Sequence, residues 1–558
     1  DPAGAYNISN FQTKVVYHKK IEEIARKTNL TEWDVAKKIV TRCKERIKDK
    51  KPSDKSIYIG YYLLNGNFNQ IVEDTFKINL KNRFTSYALL VVMLGLLLTA
   101  IVTCFLFPYP CFSWESLLLI LIVFPVGYQI SKTLVNDSIG KFSKPGMMPR
   151  LDYRFGIPDE SRTVAVIPVI TDSKDKMKEY IDKLKVYWLA NRDKNLYMAV
   201  LADFKDYKEE NAPYDQELME YSQQYVQQVM NSPELKAFFK DRQEGMNDRF
   251  MVFFRKRAHN PKENCWMGYE RKRGKLEEFN AFLRGDNGTS FIPHDHNKEL
   301  LQSIRYVITV DADTELNKGT AHDLCGTISH PLNKAVVNEE GTMVVDGYGI
   351  IQPKVGVRME NALATRFSAL FSGLTGIDCY SSQTYDLYQD YFEEGIFTGK
   401  GIYDVDTFHQ VLGKKLPENA ILSHDLLESC YLRTAYVSDI MLMDGFPTTP
   451  MAFFKREHRW IRGDWQLLPW LSSKRGLSGL SRFKITDNLI RSLYPVSQIL
   501  IWLICVLINV PVLKMLIIIF ASDLIVLAKD IIMFLWIKIR TMTVGIFVSN
   551  FYSSLGKS

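Results

Sequence analysis

Apolar residues are concentrated towards the two ends of the 558-residue chain, and a mixed pattern fills the middle. Residues 84–107 contain no charged side chain, and residues 111–130 contain only Glu115. A helix needs roughly 20 apolar residues to cross a bilayer. We therefore predict two transmembrane helices in these segments. The alternative is a helical hairpin buried in a protein core.

The second apolar region follows the mixed middle of the chain. Residues 493–513 predict a third transmembrane helix, and residues 515–537 a fourth. The fourth segment is interrupted by Asp523, Lys529 and Asp530. Charges at such depth usually face a protein interior or a polar cavity. The segment therefore either lines a path for a polar polymer or is an interfacial or helix-pairing segment.

Basic residues flank the first two apolar segments. They are Lys77, Lys81, Arg83, Lys132, Lys141, Lys144, Arg150 and Arg154. Because Lys and Arg are enriched in the cytoplasmic loops of membrane proteins, both flanks are expected in the cytoplasm. The pattern thus predicts a multi-pass protein of the cytoplasmic (inner) membrane whose middle region faces the cytoplasm.

The middle of the chain has the pattern of an α/β domain. Three short apolar runs rich in β-branched residues lie at 163–170, 196–202 and 305–310. A helical pattern over 174–190 follows the first run, which predicts a mainly parallel sheet covered on both faces. Ligands of such sheets bind beyond the carboxyl ends of the strands. Asp203 and Asp311 fall at that edge.

These patterns predict a helical N-terminal region followed by membrane, catalytic and membrane segments. Its parts are an N-terminal region at 1–80 that docks on the catalytic domain or the membrane, a linker at 131–160, a catalytic domain at 161–470, an interfacial region at 471–492 and a tail at 538–558. The chain begins Asp1-Pro2-Ala3-Gly4, without an initiator Met or a signal peptide, so we expect a piece of a longer protein.

Charge and cysteine content narrow the class of partner and compartment. The net charge is +7, and many basic residues lie beside apolar runs, which favours the lipid bilayer over nucleic acid as partner. The eight cysteines form no CxxC pair and no Cys/His zinc spacing. Scattered cysteines of this kind are typical of free thiols in a reducing compartment.

Two acidic motifs are candidates for chemistry. Asp311 and Asp313 follow the third strand-like run, where paired carboxylates can hold a divalent cation and a diphosphate; the alternative is a solvated turn. Asp425 follows His424 at the start of a helical pattern, where it is a candidate general base. The alternative for this second motif is a helix cap made by Ser423 or Asp425.

Two basic motifs are candidates for phosphate binding. Arg456, Arg459 and Trp460 share a short stretch in which guanidinium groups suit phosphates and the indole suits a sugar ring. The alternative is an amphipathic helix at the membrane surface. Residues 270–275 form a basic loop around a glycine, which either contacts a diphosphate or uracil or is a solvated charge run.

In chain order these motifs resemble the family-2-like GT-A glycosyltransferases: a first Asp, a DxD, a later acidic base and a Q/RxxRW. Arg456 replaces the Gln of many relatives, and His424 replaces a Glu. Further motifs resemble the cyclic β-1,2-glucan synthases, glycosyltransferase family 84, over nearly the whole chain. They are Pro149-Arg-Leu-Asp-Tyr153, Trp266-Met-Gly-Tyr-Glu-Arg-Lys-Arg-Gly-Lys275, Gly347-Tyr-Gly-Ile-Ile-Gln-Pro353, Phe397-Thr-Gly-Lys-Gly-Ile-Tyr-Asp404, Ser423-His-Asp-Leu426 and Arg459-Trp-Ile-Arg-Gly-Asp-Trp465.

The resemblance implies a GT-A fold, Rossmann-like with a mainly parallel sheet, flanked by transmembrane helices. It implies transfer of glucose from UDP-glucose, with inversion, to the 2-hydroxyl of a growing glucan. Asp425 would be the base, and Asp311 and Asp313 would hold Mg²⁺ or Mn²⁺. The remaining implied contacts are Asp203, Lys272, Arg273, Lys275, Asp311, Arg456 and Arg459 to the nucleotide-sugar, and Gln352, Tyr403 and Trp460 to the acceptor.

The resemblance also implies features outside the motifs. Family members are thought to extend a protein-linked primer, and they carry a C-terminal phosphorylase-like region that this chain lacks before Ser558, so cyclisation is expected to be missing or altered. Two other functions stay open at this point. One is a cellulose- or hyaluronan-like synthase of another sugar or linkage, and the other is a non-catalytic membrane receptor that binds nucleotide-sugars.

Overall fold

The computed structural model describes residues 1–531 except 29, 50–53, 65–79, 107–113, 143–145, 240–247, 294–295, 373–385, 414, 521–527 and 529–530. The chain divides into two compact units. We call Asp1–Lys77 with Pro145–Ser478 the α/β unit, and Ile78–Lys144 with Gly479–Ser558 the apolar unit.

Twenty α-helices and eleven strands are formed by the described residues. The helices are α1 Ala5–Ile8, α2 Phe11–Thr28, α3 Glu32–Asp49, α4 Ile59–Leu64, α5 Leu80–Leu106, α6 Trp114–Phe142, α7 Lys174–Ala190, α8 Asp215–Met230, α9 Pro233–Phe239, α10 Arg271–Leu283, α11 Lys298–Gln302, α12 Thr320–Ser329, α13 Met359–Ala362, α14 Arg366–Phe371, α15 Leu387–Phe392, α16 Val405–Leu412, α17 Asp425–Leu432, α18 Pro450–Gln466, α19 Gly479–Leu507 and α20 Val512–Ile519. The strands are β1 Thr163–Thr171, β2 Leu196–Phe204, β3 Phe250–Arg255, β4 Arg257–Asn260, β5 Cys265–Gly268, β6 Tyr306–Thr309, β7 Val336–Val337, β8 Val344–Asp346, β9 Ile350–Val357, β10 Gly401–Asp404 and β11 Thr434–Asp444.

The α/β unit is built on a seven-stranded sheet of order β11-β9-β10-β6-β1-β2-β3. Four of its neighbouring strand pairs are parallel, and β10 runs antiparallel to both β6 and β9. All nine residues of β2 are buried. Because alternate side chains of a strand point to opposite faces, this burial means that both faces of the sheet are covered. The predicted α/β fold with a mainly parallel sheet is confirmed.

Helix α7 illustrates how the sequence pattern produces the layers. Met177, Ile181, Leu184 and Trp188 recur at helical spacing and are all buried in the core with the sheet residues. This apolar face packs against the sheet, while the intervening polar positions stay outside. The bounds of α7 are those predicted from the sequence.

The N-terminal helices belong to the α/β unit. The backbone N–H of Asp152 donates to Ile8 O at 2.8 Å, and Asn10 N–H donates to Arg150 O at 2.9 Å. Lys55 also forms an ion pair with Asp346 at 2.7 Å. Of the two docking sites predicted for this region, the structure therefore shows the catalytic domain.

Among its described residues, the apolar unit has three helices that are long and apolar enough to cross a membrane, within Arg83–Cys104, Leu117–Gly140 and Gly479–Leu507. They match the first three predicted spans. α5 and α6 approach closely at Gly95 and Gly127, where a Cβ on Gly127 would lie 2.7 Å from Gly95 O. Small residues allow such close helix packing in membranes.

Two predicted boundaries differ from the structure. α6 continues to Phe142, and α19 already begins at Gly479, so parts of the predicted linker and interfacial region are helix. The polar residues in these parts pair within the unit: Lys132 lies 2.5 Å from Asp487, which also accepts from Tyr128 Oη at 3.0 Å. Of the fourth predicted span, α20 and a few further residues are described, and most of the remainder lies outside the described residues.

Candidate active site

The Asp311–Asp313 motif lies in a turn that directly follows β6. Thr314 N–H donates to Asp311 O at 3.0 Å, which closes the turn. Two side chains of α7 hold it from behind: Lys183 Nζ donates to Ala312 O at 2.8 Å, and Tyr187 Oη donates to Thr314 O at 2.5 Å. The motif is therefore an anchored turn at the edge of the sheet, in which Asp311 is half-buried and Asp313 is exposed.

The carboxylate of Asp311 lies between two lysines. Lys272 Nζ donates to Oδ1 at 2.6 Å, and Lys400 Nζ lies 3.2 Å from Oδ2. Burial alone would raise the pKa of Asp311, but Lys272 and then Lys400 outweigh it and hold the pKa well below the ordinary value. Asp311 is thus ionised, and both of its oxygens face a cation.

Asp313 has the opposite environment. Burial and then the neighbouring carboxylate of Asp444 raise the pKa of Asp313 above its ordinary value. Its Oδ2 lies 3.0 Å from the position that a Cβ on Gly445, just after β11, would take, although the residue as a whole is exposed. Carboxylate oxygens are the ligands that hard divalent cations take, so Asp313 has the chemistry that the predicted metal ligand needs.

Asp425 is the first residue of α17. No side chain caps this helix, so the capping alternative for Ser423 or Asp425 does not occur here. Asp425 Oδ1 is buried and has no hydrogen-bond partner among the described residues. Gly399 faces the carboxylate directly: a Cβ there would lie 2.8 Å from Oδ1 and 3.0 Å from Oδ2.

Lys272 joins the two acidic motifs. Its Nζ donates to Gly399 O at 3.1 Å, besides its contact with Asp311. Because Gly399 lies against Asp425, the two predicted acidic motifs converge on one region of the sheet edge. The structure thus brings together Asp311, Asp313 and Asp425.

His424 is buried beside this region. Its Nδ1 lies 2.7 Å from Glu428 Oε1 and 3.5 Å from Asp425 Oδ1. Burial would lower the pKa of His424, but Glu428 and then Asp425 outweigh it and raise the pKa. The imidazole is therefore protonated more easily than a free histidine, because the two carboxylates stabilise its positive charge.

Asp203 is buried inside the sheet and does not line the region of Asp311 and Asp425. It lies inside β2, is 1% exposed, and accepts from Arg255 Nε and Nη2 at 2.7 and 2.9 Å. Lys275 Nζ lies 3.0 Å away. Burial would raise the pKa of Asp203, but Lys275 and then Arg255 hold it low. The structure thus shows Asp203 in a buried ion-pair cluster, and its predicted contact with the nucleotide remains a prediction.

The basic residues 270–275 begin a helix, which corrects the predicted loop. Arg273 is buried between Glu270 at 2.6 Å and Glu277 at 3.2 Å. Lys275 donates to Val169 O at 2.5 Å, and burial lowers its pKa to about 8. Of the three predicted nucleotide contacts, Lys272 faces the acidic motifs, whereas Arg273 and Lys275 are turned into the protein.

Two predicted acceptor contacts are also buried. Gln352, 2% exposed, accepts from Thr398 N–H at 2.9 Å and donates to Pro353 O at 2.8 Å. Tyr403, 1% exposed, donates from Oη to Asn280 Oδ1 at 3.0 Å. Both side chains bond within the protein and support the segments around β10, and their predicted contacts with the acceptor remain predictions.

The remaining predicted residues lie on α18. The guanidinium carbon of Arg456 lies 4.7 Å from the Trp460 ring centroid and 5.2 Å from that of Phe446, while Arg459 is exposed. Gly463 seats the helix on the segment before the base, since a Cβ there would lie 2.3 Å from Ser423 Cβ. Arg456 stacks on aromatic rings, and its predicted contact with a diphosphate remains a prediction.

Three residues of the region were not predicted as site residues: Gly399, Lys400 and Asp444. Lys400 Nζ lies 2.6 Å from Asp444 Oδ2. Gly399 and Lys400 precede β10, whose antiparallel direction puts its first residue, Gly401, opposite Thr309 at the end of β6. The two glycines of residues 397–403 were a signal for close backbone approach. The sequence did not show that β10 is antiparallel, which is what brings these residues to the site.

The mainly parallel sheet, its flanking helices and the membrane-length helices define an α/β glycosyltransferase domain of a membrane protein. The chain is 38% identical over 408 residues to the cyclic beta-(1,2)-glucan synthase NdvB of Rhizobium meliloti (strain 1021). The matched region is 73% of this chain and 14% of that relative. No protein-family model matches the chain.

Proposed function

We propose that the chain is an inverting glucosyltransferase that transfers glucose from UDP-glucose to the 2-hydroxyl of a growing glucan and so builds β-1,2-glucan. The observation that carries the proposal is the convergence of Asp311, Asp313 and Asp425 through Lys272 and Gly399. The name of the bacterial relative supports the glucan product and the linkage.

In the proposed reaction Asp425 takes the proton of the acceptor 2-hydroxyl while that oxygen forms a bond to C1 of glucose. The bond between C1 and the diphosphate oxygen breaks, and its electron pair leaves with UDP. A carboxylate is a competent base because proton removal is coupled to bond formation. Lys272, which reaches towards both Asp311 and Asp425, is well placed to stabilise the charge on departing UDP.

Asp311 and Asp313 would hold a Mg²⁺ or Mn²⁺ ion. When bound, such an ion neutralises charge on the leaving diphosphate. The raised pKa of Asp313 supports this assignment, because a cation beside it removes the repulsion from Asp444. The metal requirement is part of the proposal.

The proposed setting is the cytoplasmic membrane, with the α/β unit in the cytoplasm, where UDP-glucose is made available. The acceptor is a growing glucan, in the family thought to be protein-linked. The basic flanks of the first two apolar segments support this orientation.

The proposal is tested by incubating the purified membrane protein with UDP-glucose and Mn²⁺, followed by linkage analysis of the polymer. We expect β-1,2 bonds and release of UDP. A product with only β-1,4 bonds would favour the cellulose-like alternative, and UDP binding without turnover would favour a receptor.

The base assignment is tested by Asp425→Asn, which removes the proton acceptor and keeps the shape. We expect turnover to fall by roughly 10²–10⁴-fold, while UDP affinity changes little. Asp390→Asn, a half-buried carboxylate bonded to Gly146 N–H at 2.7 Å, is the control and should keep turnover. Elongation by Asp425→Asn at the normal rate would show that another group takes the proton.

A further inference from the structure

Lys400 is held between two carboxylates at the edge of the sheet. Its Nζ lies 2.6 Å from Asp444 Oδ2 and 3.2 Å from Asp311 Oδ2, and 13% of the side chain is exposed. Gly399 and Gly401 on either side have φ of +82° and +151°. Side chains other than glycine rarely adopt such values. The backbone around Lys400 therefore follows a specific course that fixes where its ammonium group lies.

Asp444 is tied to the same turn as the DxD motif. Thr314 Oγ1 donates to Asp444 Oδ1 at 2.8 Å, and Glu315 N–H donates to Met443 O at 2.6 Å. Both oxygens of Asp444 are thus engaged, one by Thr314 and the other by Lys400. Asp444 is the fixed partner that positions the lysine beside Asp311.

The region contains charges of both signs, which suit a cation and an anion bound together. Asp311, Asp313 and Asp444 face two ammonium groups, those of Lys272 and Lys400. A divalent cation alone would add positive charge beside two lysines, and a diphosphate alone would add negative charge beside three carboxylates. Since buried charges need opposite partners, the pair is favoured over either ion.

We propose that Lys400 is a donor-binding residue whose ammonium group contacts the diphosphate of the nucleotide donor, with Asp444 holding it in position. An ammonium group has three N–H donors, and Asp444 and Asp311 account for two of them. The third is available for a phosphate oxygen. This inference rests on the proposed transfer from a nucleoside-diphosphate sugar and adds a residue to it.

The proposal is tested by calorimetric titration of the full chain, in detergent with Mn²⁺, with UDP and with uridine as probes. Lys400→Met should weaken UDP binding at least about tenfold, the loss expected for one charge-assisted hydrogen bond, and leave uridine binding unchanged. Lys400→Arg should retain part of the affinity. Lys174→Met is the matched control, because Lys174 forms an exposed pair with Glu217 at 2.5 Å and should leave UDP affinity within about twofold.

Asp444→Asn separates binding from support. If Lys400 contacts the diphosphate and Asp444 only positions it, Asp444→Asn should lose less UDP affinity than Lys400→Met, because the amide oxygen of Asn can still accept from Lys400. Equal losses in both variants and in the double variant would mean that the pair is only structural and would overturn the inference. Loss of uridine binding in Lys400→Met, or unchanged UDP binding, would overturn it as well.

The outcomes also separate this inference from the proposed function. If the unsubstituted chain binds no UDP with Mn²⁺, the transfer from UDP-glucose fails and the inference fails with it. If the unsubstituted chain binds UDP and Lys400→Met binds it equally well, only the role of Lys400 is lost. If Lys400→Met weakens the binding of UDP but not of uridine, the result supports both the proposed donor and the role of Lys400.

Discussion

Gly399 leaves room for the carboxylate of Asp425, the candidate base, because glycine has no side chain. Its φ of +82° lies in the left-handed region, and its Cα faces the carboxylate of Asp425. Any Cβ at this position would lie 2.8–3.1 Å from the Oδ1, Oδ2 and Cγ atoms of Asp425. The position therefore needs glycine both for its backbone conformation and for the space beside the base.

Gly399→Ala is expected to displace the Asp425 carboxylate and to lower glucan synthesis about 100-fold, since a shift of about 1 Å in a reacting group has effects of that size. Gly319→Ala is the matched control, with φ of +77° and nothing within 4 Å of the added Cβ. It carries similar backbone strain and should keep activity. Both are compared by the initial rate of UDP release, and equal rates would contradict the proposed contact.

Asp203→Asn is expected to destabilise the α/β unit rather than to affect nucleotide binding specifically. The substitution leaves the buried cations Arg255 and Lys275 without their shared carboxylate. Removing one partner of a buried pair costs about 3–5 kcal/mol. The free energy of unfolding is measured by urea titration of the purified protein, followed by tryptophan fluorescence.

The control for this variant is Asp172→Asn, whose partner Lys205 is exposed and lies 2.8 Å away. Exposed pairs contribute about 0–1 kcal/mol, so this change should be small. A loss of UDP affinity in Asp203→Asn at unchanged stability would support the direct nucleotide contact that the sequence predicted.

At the scale of elements, the long apolar runs were predictable and the short antiparallel strand was not. β1, α7 and β2 lie within a few residues of their predicted positions because each buries a regular pattern. β10 has four residues and no pattern of its own, and its direction depends on pairing with β6 and β9. The rule that sites lie after strands misses residues that precede an antiparallel one.

α10 shows a signal that sequence reasoning passed over. Leu276, Phe279 and Leu283 are buried and recur at spacings of three and four, which is typical of a helix. The run of charges before them favoured a loop. Arg273 and Lys275 lie near the start of this helix and are buried. Because a buried cation needs an acidic partner, Arg273 pairs with Glu270 and Lys275 pairs with Asp203.

The segment after α12 is expected to make the α/β unit sensitive to acid. His330 is 1% exposed, its Nε2 has no hydrogen-bond partner among the described residues, and burial lowers its pKa to about 3. The unfolded chain binds this proton below about pH 6.5 and the folded chain does not. The free energy of unfolding therefore falls as pH drops from 6.5 towards 3, by about 2 kcal/mol at pH 5.

His330→Gln removes the proton uptake of this imidazole on unfolding. The loss of unfolding free energy at pH 5 should therefore be about 2 kcal/mol smaller in this variant. The measurement is the difference between unfolding free energies at pH 7 and pH 5 for the unsubstituted and the substituted chain. Every other titrating group is shared by the two proteins. The same difference in both would show that His330 does not bind a proton on unfolding.

For the whole molecule, the side of the membrane that holds the α/β unit is open to a direct test. Cys265 on β5 is partly exposed and free. We expect a membrane-impermeant maleimide to label it in inverted vesicles and not in sealed cells, because the basic flanks favour the cytoplasmic side. Cys265→Ser is the control that identifies its signal. Labelling in sealed cells would place the unit outside.

The division of the molecule into units was only partly predictable. Apolar runs are local and indicate the membrane helices directly. The docking of the N-terminal helices is not local: it depends on contacts such as Thr13 Oγ1 with Arg150 N–H at 3.0 Å, between residues 137 positions apart. Such contacts leave no periodic pattern in the sequence.

The α/β unit is formed by two separate segments of the chain, and this limits the number of times that the stretch between them can cross the bilayer. Asp1–Lys77 and Pro145–Ser478 fold into a single body, so they end on the same side of the membrane. If α5 and α6 span the bilayer as predicted, the stretch between the two segments crosses an even number of times. This parity does not depend on the charges of the flanks.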